Sequence, residues 1–365
     1  MGISFSRTFG VSKSTMRFMN LGMIYAVTIA CFANGFAISQ EPIGSGLKSI
    51  LVRDVSDEST PSTSNKVAAK TASMKDEKPT SPKLNPVERK TIKENANVEG
   101  GENFLLRYKF TSGTRVISEV THLAKTNTKI DTTEQDSNSR TVSQKTWDFV
   151  SVEKGKMTFE YRIAAIDMSQ RIGNADELRF SSADSEPPHP QFKSAADSVG
   201  RVISTVTIDE QGLIIARSDE INPPSLGMGD ITLPLPEKPV SIGGSWECPR
   251  EMRIRREDGS QKIVRFRELY KLDKVSLGVA TVTVRSEMIT IITEPKEEAQ
   301  VLQQLSNGTV RFDMQAGRMI SKDLTWDKRV VDFAGPGSSM EYNSRLSEEV
   351  TKTESFTPAS RTARK

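Results

Sequence analysis

The chain has 365 residues, of which 36% are hydrophobic, 27% charged and 6% aromatic, a composition typical of one or two soluble domains with a polar excess. It carries 50 Lys and Arg against 47 Asp and Glu, and three of the basic residues lie in a predicted leader, so the rest of the chain is formally neutral. Broad binding to nucleic acid or to an anionic membrane needs a large basic field. We therefore expect no nucleic-acid partner, and only local patches of charge.

Residues 1–39 have the features of a secretory signal peptide. A basic segment ends at Arg17, and an uncharged run with an apolar centre follows over residues 18–40, with small residues just before Gln40. This pattern predicts export and a mature chain that is periplasmic, on the cell surface or secreted, with membrane contact only through an uncleaved leader. Two alternatives stay open, a retained membrane anchor and acylation of Cys31.

The next segment, residues 40–100, contains no Phe, Tyr or Trp and is rich in Ser, Thr, Pro and Lys. Such a composition buries too little apolar surface to offset chain entropy. We expect a disordered linker, in which a short helix over 86–95 is the only exception. The rest of the chain divides into four predicted segments. They are a first β-rich half at 101–221, a Pro-rich connection at 222–239, a second β-rich half at 240–352 and a disordered tail at 353–365.

Alternation of apolar and polar residues recurs along both halves and predicts half-buried strands. Strands with one solvated face are typical of antiparallel sheets. The residues predicted to face inward are Phe104, Leu106, Tyr108 and Phe110, then Met157, Phe159, Tyr161, Ile163 and Ala165, then Val264, Phe266, Tyr270 and Leu272, and lastly Ala280, Val282 and Val284. The fold class is mainly β with a few helices (α+β), with antiparallel and curved sheet.

The two halves also resemble each other in the order of their features. Each has a strand, a glycine turn, a second strand, a helix and an Asp-x-x-Gly type hairpin; these features fall at Gly155, 190–199 and Asp209 in the first half and at Gly278, 295–306 and Asp313 in the second. This order predicts two similar halves, each crossed by a helix. The two aspartates are candidates for a metal or catalytic site, but we favour acceptors for their own turns.

The residues that usually carry chemistry are scarce. The chain has two histidines, His122 in a predicted strand and His189 in a Pro-rich loop, and no zinc-binding, nucleophile-elbow or phosphate-loop motif. Once the leader is removed after Cys31, Cys248 is the single cysteine left, so we expect no intramolecular disulfide and a fold that depends on its buried core. The sequence therefore predicts no enzyme, no cofactor and no metal.

One basic stripe is a candidate for contact with a ligand or an anion: Arg253, Arg255, Arg265 and Arg267. Matching the apolar faces of the two strands pairs Ile254 with Val264 and Met252 with Phe266, which needs an odd-length loop. Glu251 then faces Arg267. The alternative interpretation is a solvated sheet face with a partial ion pair.

Two segments of the second half, residues 240–246, which end in Gly-Gly-Ser-Trp, and 278–284, resemble signals of an uncharacterised family of exported bacterial domains of unknown function. The resemblance covers residues 103–354 and implies no activity and no catalytic residues. In architecture alone, the strand-rich halves are also similar to the curved sheets of periplasmic lipoprotein carriers, a likeness from which function does not follow.

These features favour a non-catalytic extracytoplasmic binding or carrier domain for an apolar or amphipathic ligand. The alternative is a structural or protein-interaction module of the cell envelope with a solid core and an envelope protein as its partner. In either case we expect Trp246 to bury its ring where the Pro-rich connection becomes a strand, with its indole N–H bound to an acceptor.

Overall fold

The computed structural model describes residues 101–220 and 232–357, together with the backbone of 85–86 and 93–94. The predicted leader, nearly all of the predicted linker and the centre of the Pro-rich connection lie outside these described residues. In the described part of the chain, no helix combines the length and the apolar character needed to cross a membrane.

The described chain is mainly β with antiparallel strands and few helices, as predicted. The strands are β1 Asn85–Pro86, β2 Lys93–Glu94, β3 Asn103–Phe104, β4 Thr114–Ile130, β5 Thr133–Glu153, β6 Lys156–Ile172, β7 Leu178–Ser181, β8 Val202–Ile208, β9 Ile214–Asp219, β10 Val240–Ser241, β11 Ser245–Arg255, β12 Gln261–Ser276, β13 Val279–Met288, β14 Asn307–Asp313, β15 Arg318–Val331 and β16 Ser339–Ser355.

The helices are short. Helix α1, Lys193–Ser198, continues a 3-10 turn at Pro190–Phe192, and helix α2, Pro295–Ala299, is followed by a 3-10 turn at Leu302–Gln304. The helix predicted over 295–306 is therefore shorter than expected. The side chain of Gln300 bonds the backbone of Arg255, with its Nε2 donating at 2.8 Å and its Oε1 accepting at 3.0 Å, which fixes the chain to the β11–β12 hairpin just after α2 ends.

One sheet contains fourteen strands, with the order β1-β9-β8-β6-β5-β4-β16-β15-β14-β13-β12-β11-β2 and β7 paired to β6. Strand β16 pairs with β15 on one side and β4 on the other. It therefore joins the two predicted halves into one sheet. Its pairing extends to Ser355, opposite Thr114, three residues beyond the predicted end of the second half.

The sheet is strongly curved. Strands β1 and β2 pair at opposite ends of the strand order, with β9 and β11, yet Pro86 and Lys93 are separated by seven steps of the chain, which reach about 25 Å at most. The segment 103–110, called the strap below, contacts both halves. Tyr108 N donates to Glu210 O in the β8–β9 turn at 2.8 Å, and Lys109 N donates to Gly317 O in the β14–β15 turn at 2.9 Å.

The strap corrects the strand predicted at Phe104 to Phe110. Only Asn103 and Phe104 pair as a strand, with β10, because the backbone donors of Tyr108 and Lys109 bind turn carbonyls instead. The predicted alternation nevertheless describes burial, since Leu106 and Tyr108 are buried in the main core. The Tyr108 ring meets Phe312 edge-on at 5.3 Å, which places the strap on the inner face of the sheet.

Bulges change which residues face inward. In β6 the inward series Met157 to Ile163 is buried as predicted, but Ala165 is exposed and Ile166 is buried. The pairing of β5 with β6 skips one residue at this point, between Gln144 and Lys145. An extra residue on one strand reverses the two faces beyond it, which is why the prediction for Ala165 is wrong.

The two hairpin aspartates serve their own turns. Asp209 Oδ1 accepts from Gln211 N and Leu213 N, both at 3.0 Å. Asp313 Oδ1 accepts in the same way from the backbone of its own turn, from Gln315 N at 2.9 Å and from Ala316 N at 2.8 Å. These bonds confirm the turn interpretation.

Trp246 is fully buried at the start of β11. Its ring stacks on Tyr270 with centroids 5.6 Å apart, and its Nε1 donates to Pro234 O at 2.9 Å. Both expectations for this residue, a buried ring and a bound indole N–H, are confirmed.

Candidate functional site

The predicted basic stripe lies on the outer face of β11 and β12, in a register two residues away from the predicted one. Met252 pairs with Val264 and Glu251 with Arg265, so the predicted pairing of Ile254 with Val264 is wrong. The loop between the strands has five residues, 256–260, and is therefore odd in length as expected. Alternation determines which face of the sheet each side chain lies on, but not which residue of the neighbouring strand it pairs with. The length of the loop between the strands sets that register.

In this register the arginines alternate with carboxylates. Arg265 Nε lies 3.1 Å from Glu251 Oε1. Arg267 lies between two carboxylates, 2.8 Å from Glu287 and 3.3 Å from Glu247, and the Glu287 bond raises the pKa of Arg267. Arg253 and Arg255 are exposed on the neighbouring strand. The contacts of Arg265 and Arg267 are ion pairs on a solvated sheet face, and contact of the four arginines with a ligand or an anion stays a prediction.

A different cluster lies on the inner face. Strand β5 turns Ser143, Lys145, Trp147 and Phe149 inward by its two-residue period, and all four are buried. The Lys145 side chain is 2% exposed. A lysine is seldom buried to this extent unless it is paired, so its surroundings decide its role.

Lys145 belongs to a buried charge cluster built from four neighbouring strands. Its Nζ lies 2.5 Å from Glu348 Oε1, and Lys322 Nζ lies 3.3 Å from Glu348 Oε2. Ser118 Oγ donates to Glu348 Oε1 at 3.1 Å. Among the described residues, two ammonium groups thus meet one carboxylate in the interior.

The interior changes the proton affinities of this cluster. Burial lowers the pKa of Lys145 to about 8, against the opposing charge of Glu348. Burial alone would raise the pKa of Glu348, but the charges of Lys145 and Lys322 and its hydrogen bonds outweigh that effect, and the pKa is lowered. Glu348 is therefore ionised at neutral pH, and it stabilises both ammonium groups.

Aromatic rings adjoin the charge cluster. Trp147 stacks on Phe159 at 4.9 Å, and Lys145 Nζ lies 5.7 Å from the centre of the Trp147 ring, within the range of a cation–π contact. The Trp147 Nε1 atom is buried and has no hydrogen-bond partner among the described residues. Buried donors in native proteins are nearly always satisfied, so this indole N–H is a notable exception.

Small polar side chains continue the inner face beyond the cluster. The buried ones on β4 and β5 are Thr126, Thr128, Ser137, Thr141 and Ser143. Ser137 Oγ and Gln135 Oε1 are buried, and neither atom has a hydrogen-bond partner in the part of the chain that the structure describes. His122 and Ser344 lie in the same region with Nε2 and Oγ 2.7 Å apart, and burial lowers the pKa of His122 to about 4, so its imidazole is neutral at pH 7.

A second ion pair lies on the inner face. In β11 and β12, Arg250 Nη1 contacts Glu268 Oε1, and Tyr270 Oη donates to Glu268 Oε2 at 2.5 Å. As for metals, the described ranges hold no group of three or more His, Cys, Asp or Glu side chains arranged to bind one.

The inner cluster was not predicted from the sequence, although the position of one of its residues indicates burial. Lys145 lies at the inward positions of a strand that continues with Trp147 and Phe149, so its parity alone predicts burial. The sequence around Lys322 does not indicate that its side chain is buried. The pairing of β14 with β15 is irregular between Phe312↔Met319 and Arg311↔Ser321, and this bulge turns Lys322 inward.

No protein-family model and no curated protein matches the chain, so the family resemblance expected from residues 240–246 and 278–284 has no support there. Among solved structures the chain is similar to lipovitellin, in a structure titled for its lipid–protein interactions, with 11% identity and a TM-score of 0.37 over 69% of this chain and 26% of that one. The chain thus spans about a quarter of the lipovitellin chain.

Two further structures are similar at lower scores. The translocator domain of the autotransporter NalP from Neisseria meningitidis has 7% identity and a TM-score of 0.26, with 66% of this chain and 89% of that chain covered. DynF from the dynemicin biosynthesis pathway of Micromonospora chersina has 8% identity and a TM-score of 0.19, with 72% and 93% covered. All three amount to a loose architectural likeness.

Proposed function

We propose that the protein is a non-catalytic binding or carrier domain that holds an apolar or amphipathic ligand against the inner face of its curved sheet. The observation that carries the proposal is the buried row of small hydroxyl side chains on β4 and β5. Within residues 101–220 and 232–357, Ser137 Oγ of this row has no hydrogen-bond partner. A core that only fills space is built from apolar side chains. Small polar side chains beside Trp147 and Phe159 are typical of a ligand site, which is mostly apolar with few polar groups.

The test uses N-phenyl-1-naphthylamine, an uncharged fluorophore that brightens in apolar surroundings. We expect it to bind the wild-type protein. Ser137→Phe fills the inner face and should weaken binding about ten-fold, equivalent to ~1.4 kcal/mol, whereas Gln144→Phe, on the exposed side of the same strand, should leave binding unchanged. Absence of probe binding by the wild-type protein, or equal binding by both variants, contradicts the proposal.

The second candidate is a structural or protein-interaction module with a solid core. Close packing near the strap favours it, since Phe149, Phe159 and Phe312 are all below 2% exposed. In that case Ser137→Phe overpacks the core and lowers stability by about 1–3 kcal/mol, and the wild-type protein takes up no probe. Thermal denaturation beside the probe titration separates the two functions.

We also infer that the sheet consists of two similar halves, each crossed by its helix. The first half has the order β4-β5-β6-β7-α1-β8-β9 and the second β11-β12-β13-α2-β14-β15, and the agreement of the two orders apart from β7 supports this. Superposing the halves of an experimental structure tests it, and helices on unrelated faces would contradict it.

The proposed place of action is outside the cytoplasm, on the basis of the leader in residues 1–39. N-terminal sequencing of the protein from an extracytoplasmic fraction should begin near Gln40. A chain that retains Met1 in the cytoplasm would contradict this assignment.

A further inference from the structure

We propose that the inner charge cluster binds the anionic oxygen of an amphipathic ligand's head group, at a point reached by Lys145 and by the indole N–H of Trp147. This inference rests on the proposed function and specifies its ligand class. The shared chemistry is a carboxylate or phosphate group on an apolar chain.

Charge is the first argument. Lys145 and Lys322 share one carboxylate, Glu348, at 2.5 and 3.3 Å, and all three side chains are at most 8% exposed. A buried charge is costly unless it is compensated. An anionic oxygen placed beside Lys145 brings an opposite charge close to this ammonium, and the low dielectric of the interior strengthens that attraction.

Hydrogen bonding is the second argument. Trp147 Nε1 is a buried donor for which the described residues supply no acceptor, and the centre of the Trp147 ring lies 5.7 Å from Lys145 Nζ. A ligand oxygen bound there accepts from both groups. Hydrogen bonds to an ionised partner are roughly twice as strong as neutral ones.

The apolar surroundings are the third argument. Trp147, whose ring adjoins the ammonium, stacks on Phe159 at 4.9 Å, and the tilted ring of Phe149 follows with its centroid 5.1 Å from that of Phe159. An alkyl chain that leaves the head group therefore meets rings on one side and the small hydroxyl side chains of β4 and β5 on the other.

The experiment titrates the full chain with four probes of equal chain length: dodecanoate, dodecyl phosphate, dodecanol and dodecylammonium. We expect either or both anions to bind at least about ten-fold more tightly than dodecanol, as one charge-assisted hydrogen bond allows, and the stronger of the two identifies the head group. Dodecylammonium should bind no better than dodecanol.

The variants assign the preference to this cluster. Lys145→Met should abolish the preference for the anion over dodecanol, and Trp147→Phe, which keeps a ring but removes the N–H, should reduce it. Lys125→Met, on the exposed side of β4, is the matched control and should retain the full preference. Because Trp147→Phe is conservative, it provides a result even where Lys145→Met does not fold.

The possible outcomes separate this inference from the proposed function. Equal binding of dodecanol and the anions overturns the anionic head group but leaves a carrier of neutral ligands. Tighter binding of dodecylammonium also overturns it, since Glu348 would then be the recognition group. No binding of any probe contradicts the proposed function itself.

Discussion

Trp246 is the residue at which the second half of the sheet begins. Its ring is fully buried against Tyr270, and its indole N–H binds Pro234 O, so one side chain fixes both the strand and the connection that precedes it.

We expect Trp246→Ala to lower the free energy of unfolding by about 3–5 kcal/mol. Trp246→Phe keeps most of the ring and should lose much less. Urea denaturation of the three proteins measures this, and an unaltered transition in the alanine variant would contradict the structural role.

The titration of Lys145 predicts a pH dependence of stability. Its pKa is lowered to about 8 in the folded protein, and the unfolded chain has the ordinary value of 10.5. Between these values the unfolded state binds more protons, so stability rises with pH. The groups facing Lys145 are Glu348 and Lys322, and Glu348 also acts on Tyr108 and Tyr161.

The measurement compares wild-type protein with Lys145→Met in urea at pH 8 to 9.5. This range lies below the titration of the two buried tyrosines, because burial raises the pKa of each above its ordinary value. The wild type should gain stability relative to the variant over this range, on the order of 1 kcal/mol. Parallel curves for the two proteins would show that Lys145 does not titrate there.

At the scale of elements, the strap depends on a glycine in the β14–β15 turn. Gly317 has φ +63°, and a Cβ added to it would lie 2.6 Å from Lys109 N. Gly278 in the β12–β13 turn has φ +76°, with nothing within 4 Å of the added Cβ. An alanine at either position would be strained by the left-handed backbone. Only an alanine at position 317 would also displace the strap.

We expect Gly278→Ala to cost about 1–2 kcal/mol from backbone strain. Gly317→Ala should cost about 1–3 kcal/mol more, and it should speed hydrogen exchange of the Lys109 amide, which donates to Gly317 O. Equal losses in the two variants would mean that the strap adapts freely and does not hold the two halves together.

Alternation in the sequence predicts the elements better than their connections. The inward residues Val264, Phe266, Tyr270 and Leu272 are all buried, because parity follows directly from the two-residue period of a strand. Register and bulges depend on loops and on partner strands that are distant in the chain. This is why the Met252 pairing and the inward turn of Lys322 could not be predicted.

Of the two candidate sites, the outer arginines could be predicted from the sequence and the inner cluster could not. The four outer arginines can be recognised in the sequence because their alternation is a local pattern. The inner cluster instead combines Lys145, Lys322 and Glu348, which belong to strands up to about 200 residues apart in the chain. No local pattern contains that combination. Only the position of Lys145 between inward residues pointed toward it.

At the scale of the whole molecule, the proposed function requires that the inner face of the curved sheet holds a ligand. Native mass spectrometry of the full purified chain tests this most directly, after gentle purification and again after incubation with a lipid extract. We predict a species heavier than the polypeptide whose added mass is released by organic extraction and is an amphipathic anion. The bare polypeptide mass before and after incubation would contradict the carrier function and favour the solid-core module.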